Sequence, residues 1–214
     1  MSEFEGPIVE KEDKPFSLRN RRILLSQCFM ALLGAVIMFS GSQWESVHIA
    51  GDIFFLSGIT LAAIAVVGRL WCSVYISGYK INTLVITGPY SMCRNPLYFF
   101  SLLGATGVGL TTETLVIPLI MFIVFLLYYP HIIRKEEKRL LAVHQETYAK
   151  YCEKTPRFIP SFSSFDEPEE YTIKPIVFRR RLFDSLWFIW IIGIIKLIQG
   201  LHESSLLPVL FRLY

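Results

Sequence analysis

From Ile23 to Ser40 the chain runs 18 residues without a charged side chain, enough for a helix to cover about 27 Å of bilayer at 1.5 Å per residue. A secretory h-region would be shorter and its leader less acidic than residues 1–22, so the run reads as a retained membrane helix. Four more apolar stretches follow. Ile53 to about Tyr79 is interrupted only by Arg69, close enough to the end of the run to snorkel toward the headgroups. Pro96–Thr112 and Thr114–Ile133 are separated by Glu113, which marks a tight turn. Pro96 and Pro118 both fall in first turns, where a missing N–H is tolerated. Leu182–Leu201 carries Asp184 near its start and Lys196 near its end and is the weakest span.

With 53% hydrophobic residues and a mean hydropathy of +0.46 in 214 residues, the chain is too apolar for a soluble globule. It is expected to be an all-α, polytopic membrane helical bundle of about five spans. Residues 1–22 form an N-terminal leader, 23–160 a four-span core with a cytosolic helix, 161–181 a linker and 182–214 a last span and tail, on the surface or folded back. All but Lys196 and Arg212 of the 21 Lys and Arg fall in 1–22, 69–95 and 134–181. By the positive-inside rule those segments, the N-terminus included, face the cytoplasm. A net charge of +3, clustered between apolar runs, is a topology signal and gives no nucleic-acid footprint. Cys28, Cys72, Cys93 and Cys152 are widely spaced, without a C-x-x-C pair or a metal-ligand spacing, so neither a disulfide framework nor a metal is expected. Cys93 differs in abutting Arg94, whose charge would lower its pKa and make it reactive.

Chemistry concentrates in two stretches on the cytoplasmic side. In Gly88–Tyr98, GPYSMCRNPLY, a Gly-Pro turn offers backbone N–H groups to a ligand. Arg94 adds a forked cation for a carboxylate or phosphate, Asn95 donates and accepts, and the helix beginning at Pro96 favours negative charge at its start. In Arg134–Pro160, Glu136 and Glu137 stand at the end of the fourth run, where acids are costly unless a cation or a hydroxyl-rich group meets them. Adjacent helical residues point about 100° apart, so one of the two pairs with a neighbouring Lys or Arg. Leu140, Leu141, His144, Tyr148 and Tyr151 recur at helical spacing, extending a helix out of the bilayer until Pro156 and Pro160 end it.

The order G-P-Y-x-x-x-R-N-P-x-Y, then a hairpin of spans, then E-E-x-x-L with Tyr148 and Tyr151, and a closing P-R-F-I-P resembles the membrane methyltransferases typified by isoprenylcysteine carboxyl methyltransferase and phospholipid N-methyltransferases. The resemblance covers about residues 80–160. It implies S-adenosylmethionine bound at the cytosolic face and a lipid-bearing or amphipathic acceptor entering from the bilayer. Gly88, Pro89, Tyr90, Arg94, Asn95, Pro96 and Tyr98 would form a first cofactor motif, and Glu136 and Glu137 a second. Tyr148, Tyr151 and Arg157 would frame the closing segment, with Arg94, Glu137 and Arg157 as the residues that carry catalysis. Many relatives have His where Asn95 stands, and His144-Gln145 replaces a frequent Phe-Gly. A carboxylate acceptor needs no base and could be oriented by Arg94 or Arg157; an amine must lose a proton, with Glu137 nearest. The competing readings are a phospholipid N-methyltransferase, an NADPH-dependent membrane reductase and a non-catalytic lipid-binding protein. A dinucleotide would call for more Gly-rich phosphate contacts than the chain offers.

Overall fold

A computed structural model describes residues 16–46, 48–77 and 83–214; the start of the leader and the entry to the loop before Gly88 lie outside them. The chain divides into two units. The first contains helix α1 (Phe16–Phe39), which starts seven residues before the uncharged run.

The second unit, Ser40–Tyr214, is built on α2 (His48–Ile76), α4 (Pro96–Leu110), α5 (Val116–Lys154) and α6 (Pro175–Glu203), with a one-turn helix α3 (Pro89–Met92) ahead of α4. It is an all-α membrane bundle. Among its described residues, three helices are long and apolar enough to cross a bilayer, namely Ile49–Ile76, Val116–Lys154 and Pro175–Glu203. The third contains the run with Asp184 and Lys196. Its Trp187 and Trp190 are exposed on the outside of the bundle. Pro96–Leu110 is shorter than expected, at 15 residues, or about 22 Å against a hydrocarbon core of about 30 Å.

The short helix is wedged tightly against α2, because small residues bring the two backbones together. A Cβ on Gly58 would stand 2.6 Å from the Gly107 carbonyl, and one on Gly107 would stand 2.7 Å from that of Gly58. Ala62 and Ala65 continue the buried seam. Lipid supplies no hydrophobic drive between helices, so this close van der Waals fit is what holds α4 in place. Helix α5 continues well past the apolar run to Lys154, as the periodicity of Leu140 to Tyr151 implied. It bends at Gln145, whose φ of 42° and ψ of −114° break the helix.

The tail folds back. Its strand β2 (Phe211–Leu213) pairs in parallel with β1 (Ser40–Ser42), Gly41 opposite Arg212, and the Tyr214 carbonyl accepts from the N–H groups of Leu115 and Val116 at the start of α5. The Glu113 turn lies at this same end, with φ 58° and a 3.6 Å ion pair to Lys196.

Candidate active site

At the other end of the bundle the two polar stretches close on each other. The Arg94 N–H donates to the Pro156 carbonyl at 2.9 Å, and the Ser161 N–H to the Met92 carbonyl at 2.9 Å. The Tyr151 hydroxyl donates to the Tyr90 carbonyl at 2.6 Å. Three backbone or near-backbone ties thus lock α3 and the start of α4 to the end of α5 and its exit.

Between them lies a cavity of about 200 Å³ whose lining includes Tyr90, Arg94, Asn95, Tyr98, Glu136, Glu137, Tyr148 and Tyr151. Apolar walls come from Ile76, Leu84, Val85, Leu97 and Leu140. The expected site residues therefore come together, with four exceptions. Gly88, Pro89 and Pro96 shape the backbone outside the lining. Arg157 stands behind Glu137 without reaching the cavity wall.

Glu137 is the electrostatic hub. Arg157 donates to both of its oxygens, from Nη2 at 2.6 Å and Nε at 3.2 Å, and Arg94 Nη1 stands 3.7 Å away. Asn95, at the N-terminus of α4, makes no side-chain cap. Its amide donates instead to Glu137 at 3.2 Å and to the Arg157 carbonyl at 3.0 Å. A forked guanidinium on a carboxylate is the strong, directional form of an ion pair. Glu136, one residue earlier and about 100° around the helix, accepts from the Tyr98 hydroxyl at 2.8 Å. The two acids thus have separate jobs, as the helical geometry required.

Arg94 is held on one side only. Its Nη1 donates to the Cys152 sulfur at 2.9 Å, while its Nε is buried without a partner. Burial works against its charge, but the Cys152 sulfur and the Glu137 carboxylate outweigh that and raise its pKa above the usual value. An unpaired buried donor on a permanent cation is costly to leave unmet, and an anion or hydrogen-bond acceptor in the cavity would satisfy it.

Three expectations change. Gly88 does not offer its N–H to a ligand; that group donates to the Asp166 carbonyl at 2.7 Å, and the residue is glycine because φ is +60° and a Cβ would sit 2.2 Å from the Tyr75 ring. Cys93 is not activated by Arg94: it is fully buried, and burial pushes its thiol up to about 12. The Arg94 side chain turns away to Cys152. Arg69 does not snorkel, as its Nη1 donates inward to Ser101 on α4.

The expected linker spans 161–181, yet α6 already begins at Pro175, and the residues before it cover the first motif. Asp166 N–H donates to Ser91 Oγ at 2.9 Å, Ser164 Oγ to the Ser91 carbonyl at 3.1 Å, and the Tyr75 hydroxyl to Glu167 at 2.8 Å. An acidic, proline-containing segment gives no periodic signal by which to foresee this docking.

A bundle of apolar helices with a charged, tyrosine-rimmed cavity at one end defines a polytopic membrane protein. A model of the phospholipid methyltransferase family matches residues 46–148, and the chain belongs to that family of membrane methyltransferases. It is 35% identical to the cobalt-zinc-cadmium resistance protein CzcN of Cupriavidus metallidurans over 89% of this chain and 87% of that one. It is 34% identical to the nickel-cobalt-cadmium resistance protein NccN of Alcaligenes xylosoxydans xylosoxydans over 89% of each. No solved structure matches the chain.

Proposed function

We propose that the chain transfers a methyl group from S-adenosylmethionine to a lipid-bearing acceptor, at the cavity between Tyr90–Tyr98 and Glu136–Tyr151 and on the cytoplasmic face. The observation that carries this reading is the donor set of that cavity. Arg94, with its buried unpartnered Nε, suits the amino-acid carboxylate of the cofactor. Glu136 suits ribose hydroxyls, and the faces of Tyr90, Tyr148 and Tyr151 suit a cationic sulfonium. When bound, the cofactor supplies an electrophilic methyl group. At about 200 Å³ the space is smaller than the ~300–1,000 Å³ usual for small-molecule sites, so a nucleoside-sized ligand requires side chains at the rim to move.

Methyl transfer needs alignment more than covalent help, and the cluster around Glu137 provides stiffness. Both oxygens of Glu137 are already engaged by Arg157 and Asn95, so its role is to orient Arg94 and Arg157. A proton released by an amine acceptor falls better to Glu136, whose hydrogen bond among the described residues comes from Tyr98. The carboxyl O-methylation first suggested by the motifs needs no such base. The family's description as phospholipid methyltransferases favours the amine reading as the second choice.

Calorimetry with S-adenosylhomocysteine tests the cofactor. Micromolar binding to the purified protein, lost in Arg94→Ala and Glu137→Ala while both elute as monodisperse species in detergent, is the expected result; unchanged binding in both variants removes the assignment. The names of the two relatives suggest that methylation serves resistance to divalent metal ions. Deleting the gene should then lower growth in cobalt, zinc, cadmium or nickel, with Glu137→Ala failing to restore it.

A further inference from the structure

A second polar element lies one layer deeper in the bundle. Arg69 is carried by α2, seven residues before Ile76, and Ser101 by α4, four residues after Leu97. Ile76 and Leu97 both line the cavity. Spacings of seven and four keep residues on one face of a helix, so Arg69 and Ser101 sit on the same α2–α4 seam as the cavity wall, about 6–10 Å further toward the membrane interior at 1.5 Å per residue.

The resident contacts satisfy this cation poorly. Nη1 donates to Ser101 Oγ, a neutral hydroxyl whose own proton goes to the Leu97 carbonyl at 2.6 Å. The guanidinium carbon lies 5.6 Å from the Phe188 ring of α6. Nε is buried with no partner. Tyr129, Asp184 and Arg181 lie within electrostatic range of it, but no carboxylate within 4 Å forms an ion pair with it among the described residues. A charged side chain at membrane depth is expensive, and such residues mark binding sites and pathways. Ser101 holds one end of the guanidinium on the α4 side of the seam; nearby, Tyr129 stacks on Phe125, and its ring lies 5.4 Å from that of Tyr98, a residue of the cavity lining.

We propose that Arg69, positioned by Ser101, binds the oxyanion of the acceptor lipid and so holds the reactive atom toward the cavity. This deepens the methyltransferase reading and rests on it. The separation of about 6–10 Å means that the anchored oxyanion and the methylated atom are different groups of the same acceptor, which selects amphiphiles with an anionic group set a few bonds from the nucleophile. A phosphodiester or a separate carboxylate supplies the same chemistry.

The test uses the full chain in nonionic micelles, with phosphatidylglycerol, oleate and uncharged monoolein as probes and binding read by native mass spectrometry. Wild type should bind phosphatidylglycerol or oleate at least about tenfold more tightly than Arg69→Met does, a change of about 1.4 kcal/mol, and bind monoolein without any such difference. Phosphatidylglycerol alone assigns a phosphate, oleate alone a carboxylate, and both a general oxyanion site. Arg69→Lys should keep part of the binding, which separates lost charge from misfolding, and Arg179→Gln should keep all of it. Equal binding by wild type and Arg69→Met, or an equal loss in Arg179→Gln, overturns the proposal. S-adenosylhomocysteine binding, measured on the same samples, should be unchanged by Arg69→Met. If wild type fails to bind it, the cofactor reading fails, while the lipid result still reports on Arg69.

Discussion

Arg157 reaches back 20 residues to grip both carboxylate oxygens of Glu137, at 2.6 and 3.2 Å. This single fork closes the exit segment onto α5 and leaves the Arg157 carbonyl where the Asn95 amide can reach it. Lysine cannot form the fork. Because the Arg157 side chain is 41% exposed, solvent screening keeps the effect modest. Arg157→Lys should cost about 1 kcal/mol. A double-mutant cycle with Glu137→Gln, followed by thermal unfolding in detergent, should return a coupling of about 0.5–3 kcal/mol; additive single effects would show that the pair is not energetically linked.

Gly88 should tolerate no side chain. An alanine there must hold φ near +60° and place its Cβ 2.2 Å from the Tyr75 ring; the backbone alone costs about 1–3 kcal/mol. We expect Gly88→Ala to give little folded protein on size-exclusion chromatography. Adding Tyr75→Ala should recover part of the yield by removing the clash, though not the backbone strain.

Gln145 presents the opposite case. Its φ of 42° is a conformation that glycine adopts freely. Replacing it should stabilise the chain by about 1 kcal/mol, which raises the melting temperature by about 2–4 °C for a chain of this size. A fall in the melting temperature of Gln145→Gly would mean that the glutamine side chain makes a compensating contact.

Cys93 predicts an alkaline limit to stability. Its thiol is pushed up from 9.0 to about 12 by burial, so between those values the unfolded chain ionises while the folded one keeps its proton. The unfolded state therefore binds fewer protons, and stability falls as pH rises. The contribution is complete below pH 9 and is lost as pH climbs toward 12. Melting curves from pH 8 to 11 should drop more steeply for wild type than for Cys93→Ala. A maleimide reagent at pH 8 should leave Cys93 unmodified in the folded protein.

The membrane class and the two polar stretches of the candidate site were legible because their signals are local. Uncharged runs such as Ile23–Ser40 report on the solvent, and Arg94 or Glu136 beside such a run stands out against it. Partner choice was less legible. That Arg94 turns to Cys152 and not to Cys93, and that Asp166 folds over Gly88, depends on where distant segments arrive. The shortness of α4 was hidden too, because Thr111 and Thr112 continue the uncharged pattern while their hydroxyls turn back to the Val108 and Gly109 carbonyls at 2.7 Å and the chain leaves the helix.

By itself the sequence determined that this chain lives in a bilayer, that α5 continues beyond it, and that Glu136 and Glu137 have different partners; apolar length and the 100° helical step decide those points without reference to any other segment. Only the tertiary structure decided that Glu137 is the hub of Arg94, Asn95 and Arg157, and that Arg69 turns inward to Ser101. Both outcomes depend on how closely helices approach, and that approach is set by paired small residues such as Gly58 and Gly107, whose meeting no single stretch encodes.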